Sequence, residues 1–166
     1  IQSKYGSPGD VLQLRDVDKP VAGDGEVLVR VRAASVHPDV WHVVTGRPYV
    51  LRLMGAGLFK PRTPIPGTDV AGHVESVGEN VTQFRPGDEV FGESLKGTHQ
   101  WMNGGALAEY AAVSQDALAL KPQGISFEQA AAFPLTFLTA WHMLITRGGC
   151  GPDQWVLILG AGSGVA

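Results

Sequence analysis

The chain has little cysteine, with Cys150 alone among 166 residues. No disulfide can close within it, and a reducing, cytoplasmic setting is expected. It has no apolar run of membrane-spanning length, and its opening residues, I-Q-S-K-Y-G, lack the apolar centre of a signal peptide. It has no positive excess either: 13 Lys and Arg against 16 Asp and Glu leave a formal charge of −3. That balance removes the electrostatic footprint of a nucleic-acid or anionic-membrane binder. The nearest thing to a basic cluster is Arg47, Arg52, Lys60 and Arg62, which reads as a solvated loop or as help in attracting a phosphate-bearing ligand. Internal repeats and low-complexity segments are missing as well. No initiator Met precedes Ile1, so a few leading residues are expected ahead of it.

What the chain does have is turn chemistry, 22 Gly and 11 Pro, with 44% apolar and 17% charged residues. This is the composition of a soluble globular protein rich in turns, better suited to a β domain than to a helix bundle. The length suits one core, or one core and the start of another. A soft boundary falls at residues 121–124. Before it, short apolar stretches alternate with turns. Val27, Val29, Val31 and Ala33 alternate with Leu28, Arg30 and Arg32, the pattern of a half-buried strand. Further strands are expected at 70–77, 89–92, 105–113 and 117–121, with R-P-G-D at 85–88 as a type II turn. A short helix is expected over 39–45, closed by Gly46.

After the boundary the period changes. Ser126 and Gln129 stand in a capping-box spacing, so a helix is expected to start there, with Pro134 ending or kinking it. A second helix is expected over 135–146, stopped by Gly148 and Gly149. Residues 155–159, W-V-L-I-L, then read as a buried strand running into G-A-G-S-G-V-A at 160–166. An apolar strand entering a glycine turn opens a dinucleotide-binding βαβ unit, because phosphate approaches backbone N–H groups only where side chains are out of the way. Gly160, Ala161, Gly162, Ser163, Gly164 and Val165 are therefore the candidate phosphate-binding residues, with Ser163 offering a hydroxyl and Ala166 as the small closing residue.

The motifs D-G-E-V-L-V-R-V-R-A-A-S-V-H-P, I-P-G-T-D-V-A-G-H-V-E-S-V-G, F-R-P-G-D-E-V-F-G, G-G-A-L-A-E-Y and A-A-A-F-P-L-T-F-L-T-A-W occur in that order. Together they resemble the medium-chain dehydrogenase/reductase superfamily, and within it the zinc-free quinone oxidoreductase branch. The resemblance implies a mainly β GroES-like barrel domain at 1–122, followed at 123–166 by the start of an α/β Rossmann domain. It implies transfer of hydride from NADPH or NADH, with NADPH favoured, to a quinone or α,β-unsaturated carbonyl, and a homodimer when the protein is complete. The helix and ribose-binding residue that normally follow the glycine turn are not in the chain, so residues 1–166 alone are expected to lack reductase activity. The last dozen residues are expected to be disordered, swapped or paired between chains. A non-catalytic GroES-like binding or scaffold module and an alcohol dehydrogenase of the same superfamily are the alternatives.

Zinc is not expected. His37 stands where zinc-dependent relatives have a Cys ligand, and Thr68 is a poor ligand where they have a His. His37, His42, His73, His99 and His142 show no ligand spacing. Without a metal, hydrogen bonds and binding geometry must polarise the acceptor. The resemblance makes His37 and Tyr49 the candidate catalytic residues. Histidine titrates near neutrality, so His37 either hydrogen-bonds or protonates the substrate, or else caps the following helix as a structural residue. Tyr49 either donates its hydroxyl to a carbonyl or packs in its loop. Thr139 matches the threonine that lies against the nicotinamide in relatives, while Thr136 is expected only to pack. Asp69 is expected to be structural and Cys150 inert.

Overall fold

A computed structural model describes residues 1–94 and 104–165; His99 and Ala166 fall outside them. The centre is a five-stranded antiparallel sheet in the order β4-β1-β2-β3-β5, built from β1 (Glu26–Ala34), β2 (Asp69–Val77), β3 (Glu89–Glu93), β4 (Tyr110–Ser114) and β5 (Leu118–Leu120). All five strands lie where the alternating pattern and the turn residues placed them, though β4 and β5 are shorter than the expected stretches. The R-P-G-D turn links β2 to β3, with Gly87 at φ 95° and the Asp88 carboxylate accepting from the Arg85 N–H at 2.9 Å.

Val27, Val29, Val70, Val74, Val90 and Val113 form the core with Phe84, Ala106 and Ala111. Each valine fully withdrawn from water there contributes about 1.5–3 kcal/mol. In β1 the expected alternation fails at one point, because Leu28 is buried along with Val27 and Val29. The register to β2 shifts between Leu28 and Val29 and again between Val31 and Ala33, and such bulges re-aim side chains.

A second, smaller cluster joins α1 (Pro8–Val11) to α2 (Pro38–Thr45) through Val11, Val40 and Val44. α2 ends where the sequence places its stop, with Gly46 left-handed at φ 61° and its N–H returning to the His42 carbonyl. α1 has one turn and no periodicity to reveal it. Beyond the sheet, α3 (Phe127–Ala131) starts from a complete capping box of Ser126 and Gln129 and presses Ala130 and Ala131 onto Ala71 of β2. α4 (Pro134–Trp141) follows and runs on as a wider turn through Arg147. Pro134 separates the two helices, as its missing N–H requires.

Residues 155–159 depart from expectation. They join no ladder, and Trp155 is 101% exposed. A strand of a parallel sheet is held by neighbours on both edges and helices on both faces, and no described strand lies beside this one. Among the described residues no helix is long and apolar enough to cross a membrane.

Candidate functional site

The residue before a proline is driven to extended backbone, and His37 (φ −130°, ψ 171°) obeys this as it leads from β1 into α2. Its ring makes no capping bond to α2, so the structural role open to it in the sequence is not the one it takes. Instead Nε2 lies 2.8 Å from the Thr68 hydroxyl, with the side chain only 11% exposed. Thr68 immediately precedes β2, and the Thr68 hydroxyl lies 3.4 Å from the Asp69 carboxylate.

Asp69, 1% exposed, is the hub. Its other oxygen accepts from the Ser35 hydroxyl at 2.9 Å. The Leu135 backbone N–H, at the start of α4, lies close enough to favour the charged carboxylate. Asp69 thus joins the end of β1 to the start of β2 and faces the start of α4, the helix that carries Thr139.

Burial pushes the Asp69 carboxyl above its ordinary value, opposed by Ser35, His37, the Leu135 N–H and Thr68. Directly across the β2–β3 pair stands Glu93. Burial and the Asp69 charge push Glu93 up to about 7. A carboxyl raised in the fold favours the protonated state, so its contribution is whole below the ordinary value of 4.5 and is lost as pH rises through about 7. Glu93→Gln is expected to melt with the parent near pH 4.5 and to be more stable above pH 7, by about 1 kcal/mol after discounting for the solvent that reaches this half-buried group. Parallel stability–pH curves for the two proteins would refute this. The sequence reading missed Ser35 and Glu93. Glu93 has no local signal, because its partner is set by strand register.

The donors around His37 do not fit a catalytic zinc. Its direct neighbour is a hydroxyl, and among the described residues no three His, Cys, Asp or Glu side chains converge. His42 is occupied through Nδ1 with the Arg47 carbonyl at 2.7 Å, and His73 lies beside Glu89 and the Phe127 ring.

Tyr49 is elsewhere. It is 63% exposed on the wall of a groove of about 420 Å³ formed with Tyr5, Trp41, Thr45, Arg47 and Arg52, and His37 is not among the lining residues. The Arg52 guanidinium sits between the Tyr5 and Tyr49 rings, 4.2 and 4.8 Å from their centres, while its Nε donates to the Gly46 carbonyl. Thr139 is half-buried on α4. Thr136 turns its hydroxyl back onto the Ala132 and Phe133 carbonyls. In the glycine turn the Ser163 N–H donates to the Gly160 carbonyl, with Gly160 at φ 77°. A Cβ on Gly160, Gly162 or Gly164 would meet nothing within 4 Å. Ala161 and Val165 flank them in the same exposed stretch.

Residues 23–123 match the alcohol dehydrogenase GroES-like domain. The chain is 36% identical over 163 residues to a quinone oxidoreductase of Sus scrofa, covering 98% of this chain and 45% of that protein. It is 36% identical over 174 residues to a chloroplastic NADPH-dependent alkenal/one oxidoreductase of Arabidopsis thaliana, covering 99% and 41%. Among solved structures it resembles an alcohol dehydrogenase superfamily protein from Novosphingobium aromaticivorans, with a TM-score of 0.77 and 34% identity over 99% of this chain and 46% of that one. The chain therefore spans a little under half the length of these relatives.

Proposed function

The chain belongs to the alcohol dehydrogenase GroES-like domain family, and from that premise we propose that it is the front portion of a zinc-independent oxidoreductase acting on quinones or α,β-unsaturated carbonyl compounds. The observation that carries this reading is the contact of His37 with Thr68, a hydroxyl–imidazole pair where the alcohol-oxidising relatives are expected to hold a metal. A reduced nicotinamide dinucleotide, NADPH by preference, supplies the hydride when bound. Thr139 and the turn of Gly160, Ala161, Gly162, Ser163, Gly164 and Val165 are the residues of this chain that hold it. Gly160 turns the chain with a left-handed φ of 77°, and the absence of side chains at Gly162 and Gly164 leaves the backbone N–H groups open, which supports a role in admitting a phosphate.

Without a Lewis acid, a side chain that hydrogen-bonds or protonates the acceptor speeds its reduction, and His37 is assigned that work. Tyr49 meets the acceptor from the separate groove that it lines with Arg47 and Arg52, and its exposure there supports that assignment. A reducing compartment, the cytoplasm, suits a chain with one half-buried cysteine. The test is turnover of the complete protein, dialysed against a chelator, with NADPH and either a quinone or an enone. Sustained reduction of either acceptor is the expected result. Turnover that requires added zinc, or oxidation of simple alcohols only, would replace this reading with that of an alcohol dehydrogenase.

A further inference from the structure

Thr68 has one hydroxyl proton and two neighbours that want it. Its oxygen is 2.8 Å from His37 Nε2 and 3.4 Å from Asp69 Oδ1. Which neighbour receives the proton decides which nitrogen of His37 carries a hydrogen, since neutral imidazole has one donor and one acceptor. The decision lies with Asp69. An ionised carboxylate can only accept, and it is the stronger claimant for a hydroxyl proton. Burial pushes both carboxyls up, but Asp69 already accepts the Ser35 hydroxyl proton at 2.9 Å, whereas Glu93, opposite, is pushed up by burial and further by the Asp69 charge. Of the two facing carboxyls, Asp69 therefore ionises first and Glu93 retains the proton. Thr68 then gives its proton to Asp69 and accepts Nε2–H from His37.

We propose that Asp69, acting through the Thr68 hydroxyl, is a positioning residue that holds His37 with its proton on Nε2 and its lone pair on Nδ1. Nδ1 is buried and has no hydrogen-bond partner among the described residues. Its nearest charge is the Asp39 carboxylate of α2 at 3.9 Å, too long for a hydrogen bond that would fix a proton on Nδ1. The charged or titratable groups identified around the ring are Asp39 on α2, Asp69 on β2 and, behind it, Glu93 on β3, all acidic.

The tautomer is measurable without turnover, by nitrogen-15 NMR of the histidine-labelled chain at a pH where His37 is neutral. The expected spectrum has Nε2 as the protonated nitrogen and Nδ1 as the lone-pair nitrogen. Thr68→Val and Asp69→Leu are each expected to raise the Nδ1–H population at least threefold, and Thr68→Ser is expected to restore the parent pattern. A parent chain with Nδ1–H predominant overturns the proposal, whatever the fate of the variants. So does an unchanged tautomer in folded Thr68→Val or Asp69→Leu. Failure of quinone and enone turnover alone refutes the function and leaves the tautomer result standing.

Discussion

Gly72→Ala is expected to cost the β domain about 3–5 kcal/mol, enough to leave much of the chain unfolded at room temperature. Gly72 lies in β2, between its two neighbours β1 and β3, at the centre of the sheet. A Cβ there would sit 2.1 Å from the Arg30 carbonyl oxygen and 2.9 Å from its carbon, with a Val29 methyl at 3.0 Å. Backbone atoms cannot swing aside as a flexible side chain does, so the methyl can be admitted only by parting β1 from β2. Gly72 pairs with Val31 next to the irregularity in β1, where the two backbones draw together. The control is Gly9→Ala in α1, where an added Cβ meets nothing within 4 Å and stability should stay within about 0.5 kcal/mol of the parent. Chemical denaturation of the three proteins checks the pair of expectations. Equal midpoints for Gly72→Ala and the parent would show that the sheet yields where the packing says it cannot.

The second large effect is on chemistry. If the complete protein reduces quinones or enones as proposed, His37→Ala is expected to lower kcat by about 10²–10⁴-fold, the usual cost of losing a positioned acid. It should do so with little change in stability, because Thr68 can keep its bond to Asp69 and Asp69 keeps Ser35 and the Leu135 N–H. A melting temperature near that of the parent, together with a KM changed far less than kcat, separates lost proton transfer from lost packing. His37→Asn should recover part of the rate, since an amide hydrogen-bonds the acceptor but does not protonate it. Turnover within threefold of the parent in His37→Ala would leave His37 as a packing residue.

The chain's own order of residues was enough to reveal most of its elements. Alternating valines marked the strands, Gly46 and Pro134 marked where helices stop or break, and Ser126 with Gln129 marked where one begins. These signals are legible because each acts within a few residues, through backbone geometry or a local hydrogen bond. The single turn of α1 was too short to carry a period, and residues 155–159 have the composition of a strand but no partner that would make them one.

The site divides in the same way. His37 stood out because it precedes Pro38 within a recognisable motif, and Thr68 because a hydroxyl is a poor metal ligand. That the two side chains meet at 2.8 Å, 31 positions apart in sequence, was not written in either motif. Nor was the placing of Glu93 across from Asp69, or the approach of Asp69 to the start of a helix that begins at Pro134. The sequence by itself determined the β domain, its turns and the kinds of groups available for chemistry. Only the tertiary structure decided which of them share one buried network, because strand register and helix docking are set by the whole core, and a proton's place in such a network depends on every neighbour at once.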